Sequence, residues 1–417
     1  MGSMSGSVIS NVITTGVMTI PAMRKTGFRA SYAAGVEACA STGGVLMPPI
    51  MGSTAFIMAV FLNIPYITIA VAAIIPSILY YLALFIQIDA YAAKNNMPGL
   101  PKEQLPKLGE TFRAGWHFIA VFILLIVMLV YLKQEVLAPF YATALLLIIN
   151  QIFSKERWGM KEFWAFILAA GKLLAEIAAI LVGVGLIVGA LSITGMAGTL
   201  VNDLVFIAGG DILVLLLMGA IASFIMGIGM TVTAAYIFLA IVLAPALIQG
   251  GLDPLSVHLF ILYWGMVSFI TPPVALGAFA AASIAGASPM RTGFEAMRLG
   301  SIIYFVPFFF VLDPAFILNG ELSRTALLFV CAVGGVILVA SSLQGYLVWI
   351  GNLHRHPILG WPIRALVLIG GLALATPGGS DLIPFSDLEL ALFALATAGP
   401  AAAVAYMLER RAKAAMA

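Results

Sequence analysis

The sequence predicts an all-α polytopic membrane protein, built from inverted repeats with re-entrant helical hairpins and broken helices. Composition is the first reason: 62% of the 417 residues are hydrophobic, 9% are charged, and mean hydropathy is +1.11. A soluble domain carries about 25% charged residues. The second reason is that the apolar runs are long and continuous, unlike the alternating segments of about ten residues in a barrel strand, so helices must satisfy the backbone in lipid. The third is a pair of identical interruptions. "STGGVLMPPIMGSTAF" (41–56) and "VSFITPPVALGAFAAA" (267–282) each place two prolines inside an apolar run. A proline pair removes two backbone donors and forbids a continuous helix.

Segments of about 20 apolar residues cross the hydrocarbon core. Candidates lie at 67–90, 113–132, 136–153, 163–195, 300–318, 325–350, 362–376 and 388–408. Two regions, 1–63 and 211–287, are instead chopped by Gly, Pro, Ser and Thr. Seventeen of the twenty Lys and Arg residues fall in six clusters, at 24–29, 94–113, 155–161, 291–298, 355–364 and 410–413. All six face the cytoplasm if 211–248 is a hairpin entering and leaving on the outer side. The positive-inside rule thus favours a re-entrant hairpin and a cytoplasmic C-terminus. No cleavable signal peptide is evident in "MGSMSGSVIS".

Residues 1–82 align without a gap on 225–306, with 13 identities. The helix-breaking positions coincide: Pro21 with Pro245, Gly27 with Gly251, Pro48-Pro49 with Pro272-Pro273, and Pro65 with Pro289. Pro65 precedes a span that ends in a basic loop, so it is expected outside. Pro289 stands beside Arg291 and Arg298, so it is expected inside. The copies therefore have opposite orientation, an arrangement in which substrate and ion sites sit near the membrane midplane. Irregular backbone at that depth must be buried in protein or line a cavity. Each copy also supplies a hydroxyl-rich tip, "SMSGSVISNV" and "GIGMTVTAAY".

A hard cation such as sodium is served by carbonyls and hydroxyls. The repeat pairs Ser3 with Gly227, Gly44 with Ser268, and Met47 with Thr271. Buried charge is scarce. Lys172 and Glu176 are spaced to pair on one helix face. Glu37, before the first proline pair, is open to three roles: carrying a proton, coordinating a cation, or bonding broken backbone. His117 and His258 are expected near span ends in structural or interfacial roles, and Cys39 and Cys331 as small apolar residues. Enzyme classes are disfavoured. "AGGD" at 208–211 departs from the GxGD of an intramembrane aspartyl protease, and neither a P-loop nor HExxH is present. A net charge of +2 does not point to nucleic acid.

At these motifs the chain resembles the membrane permease of TRAP transporters, in particular the fused permeases that work with TAXI-type binding proteins. The stretches that carry the resemblance are "SGSVISNVITTGVMTIPAMRKTGF", "GVEACASTGGVLMPPIMGSTAFIMAVFL", "HLFILYWGMVSFITPPVALGAFAAASIAG" and "PMRTGFEAMRLG". The resemblance implies a sodium-coupled, elevator-type importer of small organic acids in a bacterial or archaeal cytoplasmic membrane. An extracytoplasmic TAXI-type binding protein would deliver the substrate. By the same resemblance sodium is held at Ser3, Gly44, Met47, Pro49, Gly227, Ser268, Thr271 and Val274. Ser5, Ser7, Asn11, Thr231 and Thr233 would face the substrate. The second tip departs from the family pattern, with Thr231 in place of a proline and Val232 in place of a threonine. The chain also starts almost at the first hairpin tip, so the expectation is a wrongly placed start, a fragment complemented by a partner chain that supplies N-terminal helices, or a truncated, non-transporting remnant or assembly subunit. The expected domains are a first repeat at 1–90, connecting helices at 91–162, a second repeat with hairpin at 163–318, and additional C-terminal helices at 319–417.

Overall fold

The computed structural model describes residues 2, 6–99, 107–153, 157–354, 356–380 and 382–414. These form an all-α polytopic membrane architecture in which the only strands among the described residues are β1 (Tyr346–Leu347) and β2 (Gly351–Asn352), a short antiparallel hairpin. The chain divides into two compact units, one of residues 1–64, 68–98 and 198–417, the other of 65–67 and 99–197.

The first repeat runs α1 (Val8–Lys25), α2 (Ala30–Leu46), α3 (Gly52–Leu62), α4 (Tyr66–Ala72) and α5 (Ile74–Lys94), in the larger unit but for Tyr66 and Ile67. The second repeat reproduces this sequence of elements. Its hairpin arms are α10 (Ile212–Gly227) and α11 (Val232–Val242) continued by α12 (Ala244–Gln249). The broken helix follows as α13 (Pro254–Val267) and α14 (Leu276–Ala285), and then α15 (Pro289–Leu299). Both Pro–Pro bonds at the breaks are cis. Met51 and Ala275, at equivalent positions just after the breaks, both have positive φ, 25° and 34°. Gly27 and Gly251 share another left-handed corner, φ 105° and 93°, which glycine adopts without steric cost.

α2 is the core of this unit. Its run "ASYAAGVEACASTGGVL" is dominated by small side chains, so α1, α14 and α15 pack closely around it. A Cβ on Gly35 would touch the Glu295 Cβ at 3.2 Å, and one on Gly43 would meet the Tyr80 ring at 2.4 Å. Small residues are what permits such approach where lipid is as apolar as leucine. The repeats interlock: α14 of the second packs on α1 and α2, and α3 of the first packs on α11 and α13.

Two expectations fail here. The single span at 300–318 is instead a 3₁₀ turn (Ser301–Tyr304), α16 (Val306–Leu312) and a second 3₁₀ turn (Pro314–Ile317), bent by 69° from α15. A Cβ on Gly300 would lie 2.5 Å from Ile270 Cδ1, and Pro307 and Pro314 each start a new turn. Between the predicted span at 163–195 and the hairpin lies an unforeseen helix, α9 (Met196–Ile207), bent by 115° from α10.

C-terminal to the repeats, α17 (Leu322–Gln344), α18 (Gly360–Ala375) and α19 (Asp387–Ala414) pack side by side, and α17 lies on α5. Gly335 and Gly371 let α17 and α18 touch backbone to backbone, a Gly335 Cβ falling 2.4 Å from the Gly371 carbonyl oxygen.

The smaller unit contains α6 (Leu108–Val130), α7 (Ala138–Phe153) and α8 (Met160–Thr194). His117 lies at the start of the apolar stretch Gly115–Val130 of α6, near a span end as expected, against Phe118 and against Phe153 at the end of α7. Lys172 and Glu176 are both exposed, and no ion pair joins them among the described residues.

Candidate functional site

The breaks and hairpin tips converge in the larger unit, and their local chemistry explains how. Met47 precedes a proline, which excludes the helical region; it is extended (φ −87°, ψ 124°) and ends α2. In the second repeat the chain folds back after Val267. The Phe269 carbonyl accepts from the backbone N–H groups of Gly277 (3.0 Å) and Ala278 (3.2 Å), and the Thr271 carbonyl from that of Ala275 (3.1 Å). The first turn of α14 is thus tied to the end of α13 across the proline pair.

The tips are built alike. Ser7 caps α1 by accepting from Ser10 N–H at 3.3 Å, and Thr231 caps α11 by accepting from Ala234 N–H at 3.3 Å. The departure at Thr231 therefore keeps a hydroxyl cap where the first repeat has one. Gly6, φ 61°, packs on Gly52 so tightly that a Cβ on Gly52 would lie 2.9 Å from the Gly6 Cα.

Of the residues assigned to sodium, Gly227 and Ser268 are brought together, with the Ser268 Oγ 2.9 Å from the carbonyl oxygens of both Gly227 and Gly265. A Cβ on Gly227 would fall 2.3 Å from the Gly265 carbonyl oxygen. In the first repeat Gly44 is pressed on Gly2, 2.8 Å from a built Cβ to the Gly2 Cα. Each hairpin thus leans on the last turn of its own broken helix. Thr271, 8% exposed, has its hydroxyl 2.7 Å from the Val267 carbonyl oxygen and 2.5 Å from the Tyr304 hydroxyl. Pro49 and Val274 lie within the two break loops, half-buried, and Met47 is exposed. Ser3 and Ser5 lie outside the described residues.

Of the residues assigned to the substrate, Thr233 stands where the two repeats meet. Its hydroxyl is 3.0 Å from that of Thr54 and 3.3 Å from that of Ser53. Ser53 and Thr54 open α3 and Thr233 opens α11, so two helix N-termini and three hydroxyls share one place. Unbonded first-turn N–H groups and the helix dipole make such a place attractive to an anion. The sequence reading missed Ser53 and Thr54; the available signal was a hydroxyl pair directly after a helix break. The repeat-related crossing is apolar instead, with Gly277 of α14 against the Val8 side chain of α1. Asn11 is 6% exposed and donates from Nδ2 to Ser41 Oγ at 2.8 Å, away from the Thr233 cluster. His258 is buried in α13, with Nδ1 2.7 Å from the Tyr236 hydroxyl.

Residues 1–323 match the family model of the tripartite ATP-independent periplasmic transporter, DctM component. The chain belongs to this family. DctM-family proteins are transporter permeases, not enzymes, and the chain is a multi-pass membrane protein of that kind. It is 25% identical over 290 residues to the isethionate TRAP transporter permease protein DctMQ of Oleidesulfovibrio alaskensis, covering 68% of this chain and 45% of the relative. With the C4-dicarboxylate TRAP transporter large permease protein DctM of Pseudomonas aeruginosa it shares 23% over 288 residues, 68% of this chain and 66% of the relative. With the sialic acid TRAP transporter permease protein SiaT of Haemophilus influenzae it shares 23% over 312 residues, 74% and 49%. The chain thus spans about half to two thirds of the length of these relatives.

Proposed function

We propose that this DctM-family chain is the transport-domain-bearing part of a sodium-coupled permease that imports small organic acids across the cytoplasmic membrane. The observation that carries the reading is the meeting of Ser53, Thr54 and Thr233 at two facing helix N-termini. A carboxylate there accepts hydroxyl and first-turn N–H protons and lies at the positive ends of both helix dipoles. Sodium takes the complementary groups: the Gly227 carbonyl, the Ser268 and Thr271 hydroxyls, and carbonyls in the Met47–Pro49 and Pro272–Val274 loops. The names of the relatives, which cover isethionate, C4-dicarboxylates and sialic acid, support an acidic substrate. The partners under this reading are an extracytoplasmic substrate-binding protein, of TAXI type by the motif stretches, and a chain supplying small-subunit helices.

The test is uptake of radiolabelled organic acids into proteoliposomes holding the complete complex under an inward sodium gradient. Thr271→Ala is expected to raise the sodium concentration for half-maximal uptake. Unchanged sodium dependence would remove Thr271 from the ion site. Absence of any sodium-driven uptake with all partners supplied would leave the chain an assembly subunit.

A further inference from the structure

Glu37 sits on α2, 4% exposed, and among the described residues no Lys, Arg or His forms an ion pair with it. Thr15 Oγ1 lies 2.5 Å from one carboxyl oxygen, Thr19 Oγ1 lies 2.5 Å from the other, and Ser41 Oγ approaches the first at 3.3 Å. The same Thr15 hydroxyl is 2.8 Å from the Asn11 carbonyl oxygen, and that of Thr19 is 3.0 Å from the Thr15 carbonyl oxygen. Each hydroxyl has one proton to donate. The two threonines therefore make four close oxygen contacts with two protons between them. A carboxyl that holds a proton adds a third: it donates to one threonine, which is then free to donate to its helix carbonyl.

Oxygens 2.5 Å apart meet in a hydrogen bond. Behind the carboxyl, Asn11 Nδ2 donates to Ser41 Oγ at 2.8 Å, so the Ser41 proton points onward to Glu37. Asn11 is buried, and its Oδ1 has no hydrogen-bond partner among the described residues. In front, Thr19 is exposed. A continuous line of side chains thus runs from Asn11 through Ser41 and Glu37 to the surface at Thr19.

We propose that Glu37 is a proton-binding site served by Thr19. On loading, a hydronium ion at the exposed edge gives its proton to Thr19 Oγ1 and becomes water. Thr19 passes its own proton to Glu37 Oε2, and unloading reverses both transfers. The other elements packed on α2 bring few groups that could compete. α5 presents Tyr81, whose hydroxyl donates to the Ala40 carbonyl, and Tyr80, which donates to that of Cys39. α14 presents Ile284, and α15 presents Glu295, beside Gly35 and bonded to Arg298. On α2 itself lie Tyr32 and Cys39, with Tyr32 donating to the Gln87 carbonyl and Cys39 to that of Ala296.

The experiment is infrared difference spectroscopy on the purified full chain in lipid vesicles, between alkaline and neutral pH, in H₂O and D₂O. The expected result is the carbonyl stretch of a buried carboxylic acid that appears on acidification, shifts down in D₂O, and is lost in Glu37→Gln. Should Glu37→Gln fail to fold, Thr19→Val keeps the carboxyl and is expected to slow deuterium exchange of the band. The proposal is overturned by a band absent from the wild type, by a band retained in Glu37→Gln, or by exchange that Thr19→Val leaves unchanged. It is equally overturned if sodium at fixed pH removes the band, which would make the ligand a metal ion. The band is read without substrate, gradient or partner chain, so it stands or falls apart from the transporter reading.

Discussion

The hydroxyls of Thr54 and Thr233 lie 3.0 Å apart and join the second half of the first broken helix to the second arm of the other repeat's hairpin. The pseudo-symmetry that relates the repeats puts Ala278 of α14 and Ile9 of α1 at the matching positions, and beside them Gly277 packs on Val8. An inverted repeat gives two equivalent crossings; side-chain chemistry makes one of them polar. That asymmetry is what a permease needs if one anion is to be held in one place.

Thr233→Val keeps the shape of the side chain and removes the shared hydroxyl. A hydrogen bond to a charged group contributes about 1.5–3 kcal/mol, so KM for uptake should rise roughly tenfold or more while the sodium concentration for half-maximal uptake stays put. Initial uptake rates against substrate, taken at saturating sodium, measure it. An unchanged KM would reduce the cluster to helix packing.

Gly227→Ala and Gly229→Ala separate two reasons for glycine in one hairpin. The Cβ at Gly227 would strike the Gly265 backbone oxygen at 2.3 Å, which no side-chain rotation relieves. The one at Gly229 meets open space but needs φ 80°. Thermal melting in detergent should show Gly227→Ala destabilised by several kcal/mol, on the order of other overpacked core sites. Gly229→Ala should lose only about 1–2 kcal/mol, the left-handed penalty. Equal losses at the two positions would show that the hairpin yields at Gly227.

Much of this architecture was legible in the sequence because proline and glycine act on the backbone directly. Pro48-Pro49, Pro272-Pro273, Gly27 and Gly251 mark breaks and corners wherever they fall, so the repeat offset and both broken helices could be read before any packing was known. Ser7 and Thr231 were legible as tip hydroxyls, though not as the caps they form. Positions whose role is set by a distant neighbour were not legible. The run at 300–318 reads as one apolar span, since hydropathy does not register that Ile270 fills the space beside Gly300. Ser53 and Thr54 gain meaning only from Thr233, and Glu37 only from the threonines of α1.

Met51 and Ala275 make a second contrast at equivalent positions. Both hold a positive φ, 25° and 34°, and both are fully buried. Glycine would relieve about 1–2 kcal/mol of backbone strain. At Ala275 the relief is set against one lost methyl, about 0.8 kcal/mol, and added freedom in the unfolded chain of about 0.4–1 kcal/mol. Ala275→Gly should therefore melt within about 1 kcal/mol of the parent. Met51→Gly removes a whole buried side chain, a loss of about 2–5 kcal/mol in comparable cores, and should be clearly destabilised. A neutral Met51→Gly would mean that the side chain is not packed as the structure shows.

Arg324 supplies the last test. It starts just past the region matched by the family model and fastens the C-terminal helices to the repeats. Its Nε donates to Asp313 at 2.8 Å, Nη2 to the Gly378 carbonyl at 2.8 Å, and Nη1 to Asp387. Asp387 also accepts from Gly378 N–H at 2.9 Å, so one guanidinium orders the turn that leads into α19. The pairs are partly exposed, which places their value between the weak surface limit and the strong buried one. Arg324→Ala should lower stability by about 2 kcal/mol and raise hydrogen exchange over 376–390. Arg324→Lys should recover only part of this, because a point charge cannot reach three acceptors in a fixed fork. Identical exchange in Arg324→Ala and the parent would show that α19 is held by its packing on α18 alone.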